Sequence, residues 1–124
     1  MAAASSNTAA PFVDGQIQFL VHSIEPLKAP PEPIQIIVVA LTNTGTSLQL
    51  VSFNDQRLLG DQGRKFSPDP VLLTQLNNGK AAVLVPPGGT ATMRIPFALP
   101  INTEPVAVVL HAGPQVPGVA VPSR

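Results

Sequence analysis

Short apolar stretches, each stopped by Gly, Pro, Asn or Asp after roughly ten positions, constrain this chain more than any other feature. No run of ten or more residues carries a convincing 3.6-residue apolar period, so the sequence has to be organised as strands. Gln16 to Ile24 places Ile17, Phe19 and Val21 on one face and Gln16, Gln18 and His22 on the other, with Leu20 the exception. It is expected to stop near Glu25-Pro26. The tract Lys28-Ala29-Pro30-Pro31-Glu32-Pro33 cannot enter a sheet interior, because proline has no N–H for the ladder, and reads as a bridging loop. Ile34 to Leu41 is nearly continuous in β-branched and apolar residues, which predicts a central strand covered on both faces.

Thr42-Asn43-Thr44-Gly45 predicts a tight turn with Asn43 and Gly45 as the residues able to take left-handed conformations. Further strands are expected at Leu48 to Phe53, Gln56 to Leu59, Ala81 to Val85, Ala91 to Leu99, Val106 to His111 and Val116 to Val121. Pro86-Pro87-Gly88-Gly89 suits a type II turn, proline presetting one φ and glycine supplying the positive one. In Ala91 to Leu99, Ala91, Met93, Ile95 and Phe97 share a face, and Pro96 marks either a sheet edge or a bulge. Helix is confined to about one turn within Asp69 to Leu76. The expected fold is all-β, an immunoglobulin-like two-layer β-sandwich of 7–8 antiparallel strands. Without Trp or Tyr, the core has to be filled by Phe19, Phe53 and Phe97 together with Ile36, Val38, Val108 and Leu110.

Composition narrows the function. Of 124 residues only seven are Lys or Arg and seven Asp or Glu, giving no net charge, which excludes a polyelectrolyte nucleic-acid binder. With no cysteine, disulfides, thiolate metal sites and cysteine nucleophiles are all removed, and stability has to come from packing. No apolar run reaches the ~18 residues of a membrane span, so this segment is not expected to insert. Met1 to Ala10 has neither the cationic start nor the apolar centre of a signal peptide. Residues 1–12 read as a flexible linker, or the remnant of one, and residues 13–124 as one domain.

Six of the fourteen charges, Asp55, Arg57, Asp61, Arg64, Lys65 and Asp69, fall within one segment. One reading is a solvated hairpin whose carboxylates pair with its own cations. The other is a loop at the end of a rigid sandwich that recognises a partner, with Arg57 and Arg64 as anchors because guanidinium groups bind carboxylates and phosphates bidentately. A calcium site from Asp55, Asp61 and Asp69 matches no compact ligand spacing. His22 and His111 make a metal pair only if their strands are neighbours. No nucleophile elbow or phosphate-cradling loop is present, so no catalytic, cofactor or metal residues are assigned and no enzyme is expected. The uncharged stretch Val116 to Pro122 reads either as a last strand whose prolines block further pairing or as an edge for self-association.

Several blocks, in order, carry a resemblance: Asp14-Gly15 followed by Phe19; Thr42-Asn43-Thr44-Gly45; Asn54-Asp55-Gln56-Arg57 through Asp61-Gln62-Gly63-Arg64-Lys65-Phe66; Pro87-Gly88; Phe97-Ala98-Leu99-Pro100; Leu110-His111; and Gly118-Val119 with Val121. From Asp14 to Val121 the chain resembles an actinobacterial family of exported or membrane-anchored immunoglobulin-like domains that includes a small secreted mycobacterial antigen. It departs from that family at Ala112, where an acidic residue is common, and in lacking a cysteine pair found in some members. The resemblance implies the sandwich fold and an extracellular or cell-surface address. It implies a non-enzymatic binding module for a protein or cell-envelope component, or alternatively a spacer or self-assembly domain of a larger anchored protein.

Overall fold

The computed structural model describes residues 12–27, 34–100, 102–113 and 118–122. The predicted Pro-rich loop over 28–33 and the start of the predicted last strand lie outside them. Ten strands are described: β1 (Phe12–Asp14), β2 (Ile17–Leu27), β3 (Ile34–Asn43), β4 (Gln49–Ser52), β5 (Arg57–Gly60), β6 (Lys65–Phe66), β7 (Ala82–Val85), β8 (Thr90–Ala98), β9 (Pro105–Leu110) and β10 (Val119–Pro122). Helix α1 (Pro70–Leu76) lies where helix was expected, but its seven residues make about two turns rather than one. One antiparallel sheet has the order β1-β2-β3-β8 and a second the order β10-β9-β5-β6, while β4 and β7 form a two-stranded ribbon. The two-layer all-β sandwich is therefore the observed fold, with two short strands, β1 and β6, beyond those expected from the sequence.

Inward-facing side chains of both sheets form one core. Ile17, Phe19, Ile37, Val39, Leu41, Met93, Ile95 and Phe97 come from the first sheet, Leu58, Val108, Leu110 and Val121 from the second, and Val51 and Val85 from the ribbon. Phe53 and Leu73 join them. Each large side chain withdrawn from water in this way stabilises the fold by ~1.5 to 3 kcal/mol. The predicted core holds for Phe19, Phe53, Phe97, Val108 and Leu110.

It does not hold for Ile36, and Val38 is buried, at 9% exposure, without joining the core cluster. Since Ile37 and Val39 point into the core, the pleat turns Ile36 and Val38 to the outer side of the first sheet, and neither belongs to the core cluster. β3 is central, as predicted, with β2 on one side and β8 on the other, yet only one of its faces meets the second layer.

A bulge resolves the imperfect alternation of β2. Val21 pairs with Val39 and Ser23 with Val38, leaving His22 as the extra residue, so that Ile24 returns to the inward side opposite Ile37. β8 is an edge strand, the first of the two readings of Pro96. Arg94 N and O both meet the Asn77 side chain and Pro96 O accepts from Asp69 N, so the missing Pro96 N–H falls on the edge that faces away from β3.

The turn after β7 is as predicted. Gly89 N donates to Pro86 O at 2.8 Å and Gly88 sits at φ +76°, the geometry of a type II turn. The turn after β3 is not. Neither Asn43 nor Gly45 has positive φ. Asn43 acts through its side chain: its Nδ2 donates to Ser47 O and Val85 O, and its Oδ1 accepts from Gly45 N.

Candidate functional site

The charged segment runs from the 3-10 turn Phe53–Asp55 through the β5–β6 hairpin to the start of α1. Its six charges are placed differently. Arg57 opens β5 and donates from Nη1 to Asn54 O and Gln56 O, stapling the turn from which it emerges. Asp69 caps α1: its Oδ1 accepts from Val71 N at 3.1 Å and Leu72 N at 3.0 Å, two amides that a helix start leaves without partners. Asp55 is half-buried within the 3-10 turn.

The remaining three stand together at the hairpin tip. Asp61, Arg64 and Lys65 are all exposed. Gly60 N donates to Arg64 O at 2.8 Å and Gly63 N to Gly60 O at 3.1 Å, with Gly63 at φ +84°. Asp61 N donates to Glu104 O at 2.9 Å, fastening the tip to the loop that leads into β9. The Arg64 guanidinium lies 5.1 Å from the centroid of the half-buried Phe66 ring, a cation–π placement that restrains a long side chain without using its hydrogen-bond donors. Two cations and the carboxylates of Asp61 and Glu104 thus project from a backbone fixed at both sides. Of the two anchors read from the sequence, Arg64 is displayed, whereas Arg57 is tied to its own turn.

The fold has a solved counterpart. A crystal structure of the yjhA protein from Bacillus subtilis matches with a TM-score of 0.62 and 15% sequence identity, over 82% of this chain and 76% of that one. At that identity the likeness carries the fold alone. No protein-family model matches the chain, and no curated protein matches it.

The candidate metal ligands are not brought together. Among the described residues no group of three or more His, Asp or Glu side chains is placed to hold an ion. His22 is the exposed bulge residue of β2 in the first sheet, while His111 follows β9 in the second. No helix among the described residues is long and apolar enough to cross a membrane.

Buried polar side chains are what sequence reasoning missed. Asp14 is 4% exposed; its Oδ2 accepts from Ala112 N at 2.8 Å and its Oδ1 from Gly118 N at 3.1 Å, joining the first hairpin to the approach of β10. Gln56 is fully buried, with Nε2 donating to Ser52 O and His111 O while Oε1 accepts from His111 N. Asn77 does the same for β8, donating to Leu73 O and Arg94 O and accepting from Arg94 N. Each of these two amides behaves as one extra peptide group at a strand edge. The one sequence signal available was their type: polar residues beside apolar runs, where turns are equally expected.

Proposed function

We propose that this chain is a non-enzymatic interaction module that works outside the cytoplasm and presents the Asp61 to Lys65 tip, with Arg64 as its anchor, to an acidic protein or cell-envelope component. One observation carries the reading. Arg64 and Lys65 are exposed on a tip whose backbone is locked by Gly60 N to Arg64 O and by Asp61 N to Glu104 O, so little conformational freedom is left to lose on binding. A guanidinium held over Phe66 keeps its donors free for paired hydrogen bonds with a carboxylate or phosphate. The extracytoplasmic address is supported by the family resemblance.

The test is retention of the purified chain on a cell-envelope fraction across a salt series. The wild type is expected to bind and to release as salt rises, because exposed charges beyond about 10 Å are screened near 0.1 M. Arg64→Ala/Lys65→Ala is expected to lose about tenfold or more in retention with an unchanged thermal midpoint. Equal retention of the variant would dispose of the proposal. A second reading, self-assembly of this domain, is favoured by the apolar outer face of β3.

A further inference from the structure

We infer that two copies of this chain form a dimer by packing the outer faces of sheet β1-β2-β3-β8 together, about a two-fold axis that runs along β3. The inference develops the self-assembly reading and is independent of the hairpin tip.

β3 is apolar on both sides. Ile37, Val39 and Leu41 are fully buried in the core, while Ile34, Ile36 and Ala40, all half-buried, form the outer row together with Val38, which its neighbours leave 9% exposed. Leu20 stands beside Ala40 on this face, and Val13, on the outer side of β1, is 52% exposed. An antiparallel sheet with one wet face alternates apolar with polar residues, and the central strand here does not.

The charges on this face favour a second copy as the occupant. Among the described strand residues that face outward, Glu25 on β2 and Arg94 on β8 are the ionised ones, and they flank the apolar row from opposite sides. Glu25 is paired with Ile36 and Arg94 with Val38, adjacent outward positions roughly 7 Å apart along the strand. Rotation about an axis along β3 exchanges the two flanks and keeps height along the strand, so each Glu25 comes to the flank that carries the partner's Arg94, one outward position away, within reach of two long side chains. An axis across the strands sets like charges over one another instead. The surface is therefore complementary to itself in one orientation, the requirement of an isologous interface. Both charges stand on firm supports: Ser23 Oγ donates to Glu25 Oε2 at 3.1 Å, and the Arg94 backbone is held by Asn77 at both N and O.

Size and the sheet edge agree with packing through the face. Three strands of 9, 10 and 11 residues about 4.8 Å apart, with the three-residue β1 beside them, present roughly 550 Å² per copy, which places the pair near the lower end of specific interfaces. Association through the β8 edge is blocked, because Asn77 and Asp69 already occupy it and Pro96 has no donor there.

Sedimentation velocity over a concentration series tests the inference on the whole chain. The wild type is expected to go from monomer to dimer in the micromolar range. Glu25→Arg and Arg94→Glu are each expected to weaken the dimer about tenfold, and the double exchange to restore it to within about threefold, because the exchanged pair is again opposite in sign. Ile36→Glu is expected to abolish the dimer with an unchanged far-UV circular dichroism spectrum. Leu50→Gln/Leu84→Gln, on the exposed ribbon face, and Arg64→Ala/Lys65→Ala are expected to leave it intact. A monomer at every concentration, a dimer that the double exchange fails to restore, or a dimer lost with the ribbon leucines and kept with Ile36→Glu would each overturn it.

Discussion

Asp14 shows how much one buried side chain can decide. Its carboxylate accepts two backbone amides, Ala112 N and Gly118 N, nearly a hundred residues away in the chain. Asp14→Ala removes two charge-assisted acceptors and leaves both amides without that partner, and is expected to cost about 2 to 4 kcal/mol in a urea titration. Gly118 is fixed in the same place. Its φ is +89°, and a Cβ there would come within 2.5 Å of the His111 ring. Phe53, 2% exposed, lies in the core just after β4, and Phe53→Ala is expected to lose about 3 to 5 kcal/mol through the cavity it leaves. A loss under about 1 kcal/mol in the same titration would contradict its placement.

Among the secondary elements, α1 depends on its surroundings. Seven residues are too few for a stable isolated helix in water. It persists because Asp69 caps it, Pro70 presets its first turn, and Leu73 is buried in the core. Asp69→Ala is expected to lower stability by ~1 kcal/mol, with faster amide exchange at Val71 and Leu72 as the local signature. The charged segment was legible in the sequence as a cluster, and the helix start was legible at Asp69. The division of labour was not legible: nothing in the order of residues says that Arg57 turns back onto Asn54 and Gln56 while Arg64 settles on Phe66. β3 gives the opposite lesson. Its apolar residues were read correctly as a central strand, but periodicity counts apolar side chains and does not say how many layers arrive to cover them.

Taken whole, the molecule is fastened by amides that reach between its parts. Gln56 joins the ribbon to the end of β9, Asn43 joins β3 to the ribbon, and Asn77 joins α1 to β8. These ties make the sandwich a rigid frame for two surfaces that act separately. Ile36→Glu, expected to be monomeric, should keep the salt-sensitive envelope retention of the wild type, measured on the same fraction. Loss of both properties together would mean that the tip binds only when presented twice.

The all-β class, most strand positions, a Pro96 that had to lie at an edge or a bulge, and the place of the helix were all readable from residue order, because alternation and proline chemistry act between residues close along the chain. That Ile36 and Val38 face outward, that Asp14, Gln56 and Asn77 are buried, and which of the six clustered charges remain displayed were set by how the layers pack. Those outcomes depend on which surfaces meet after distant segments fold together, and no local pattern of residues encodes that meeting.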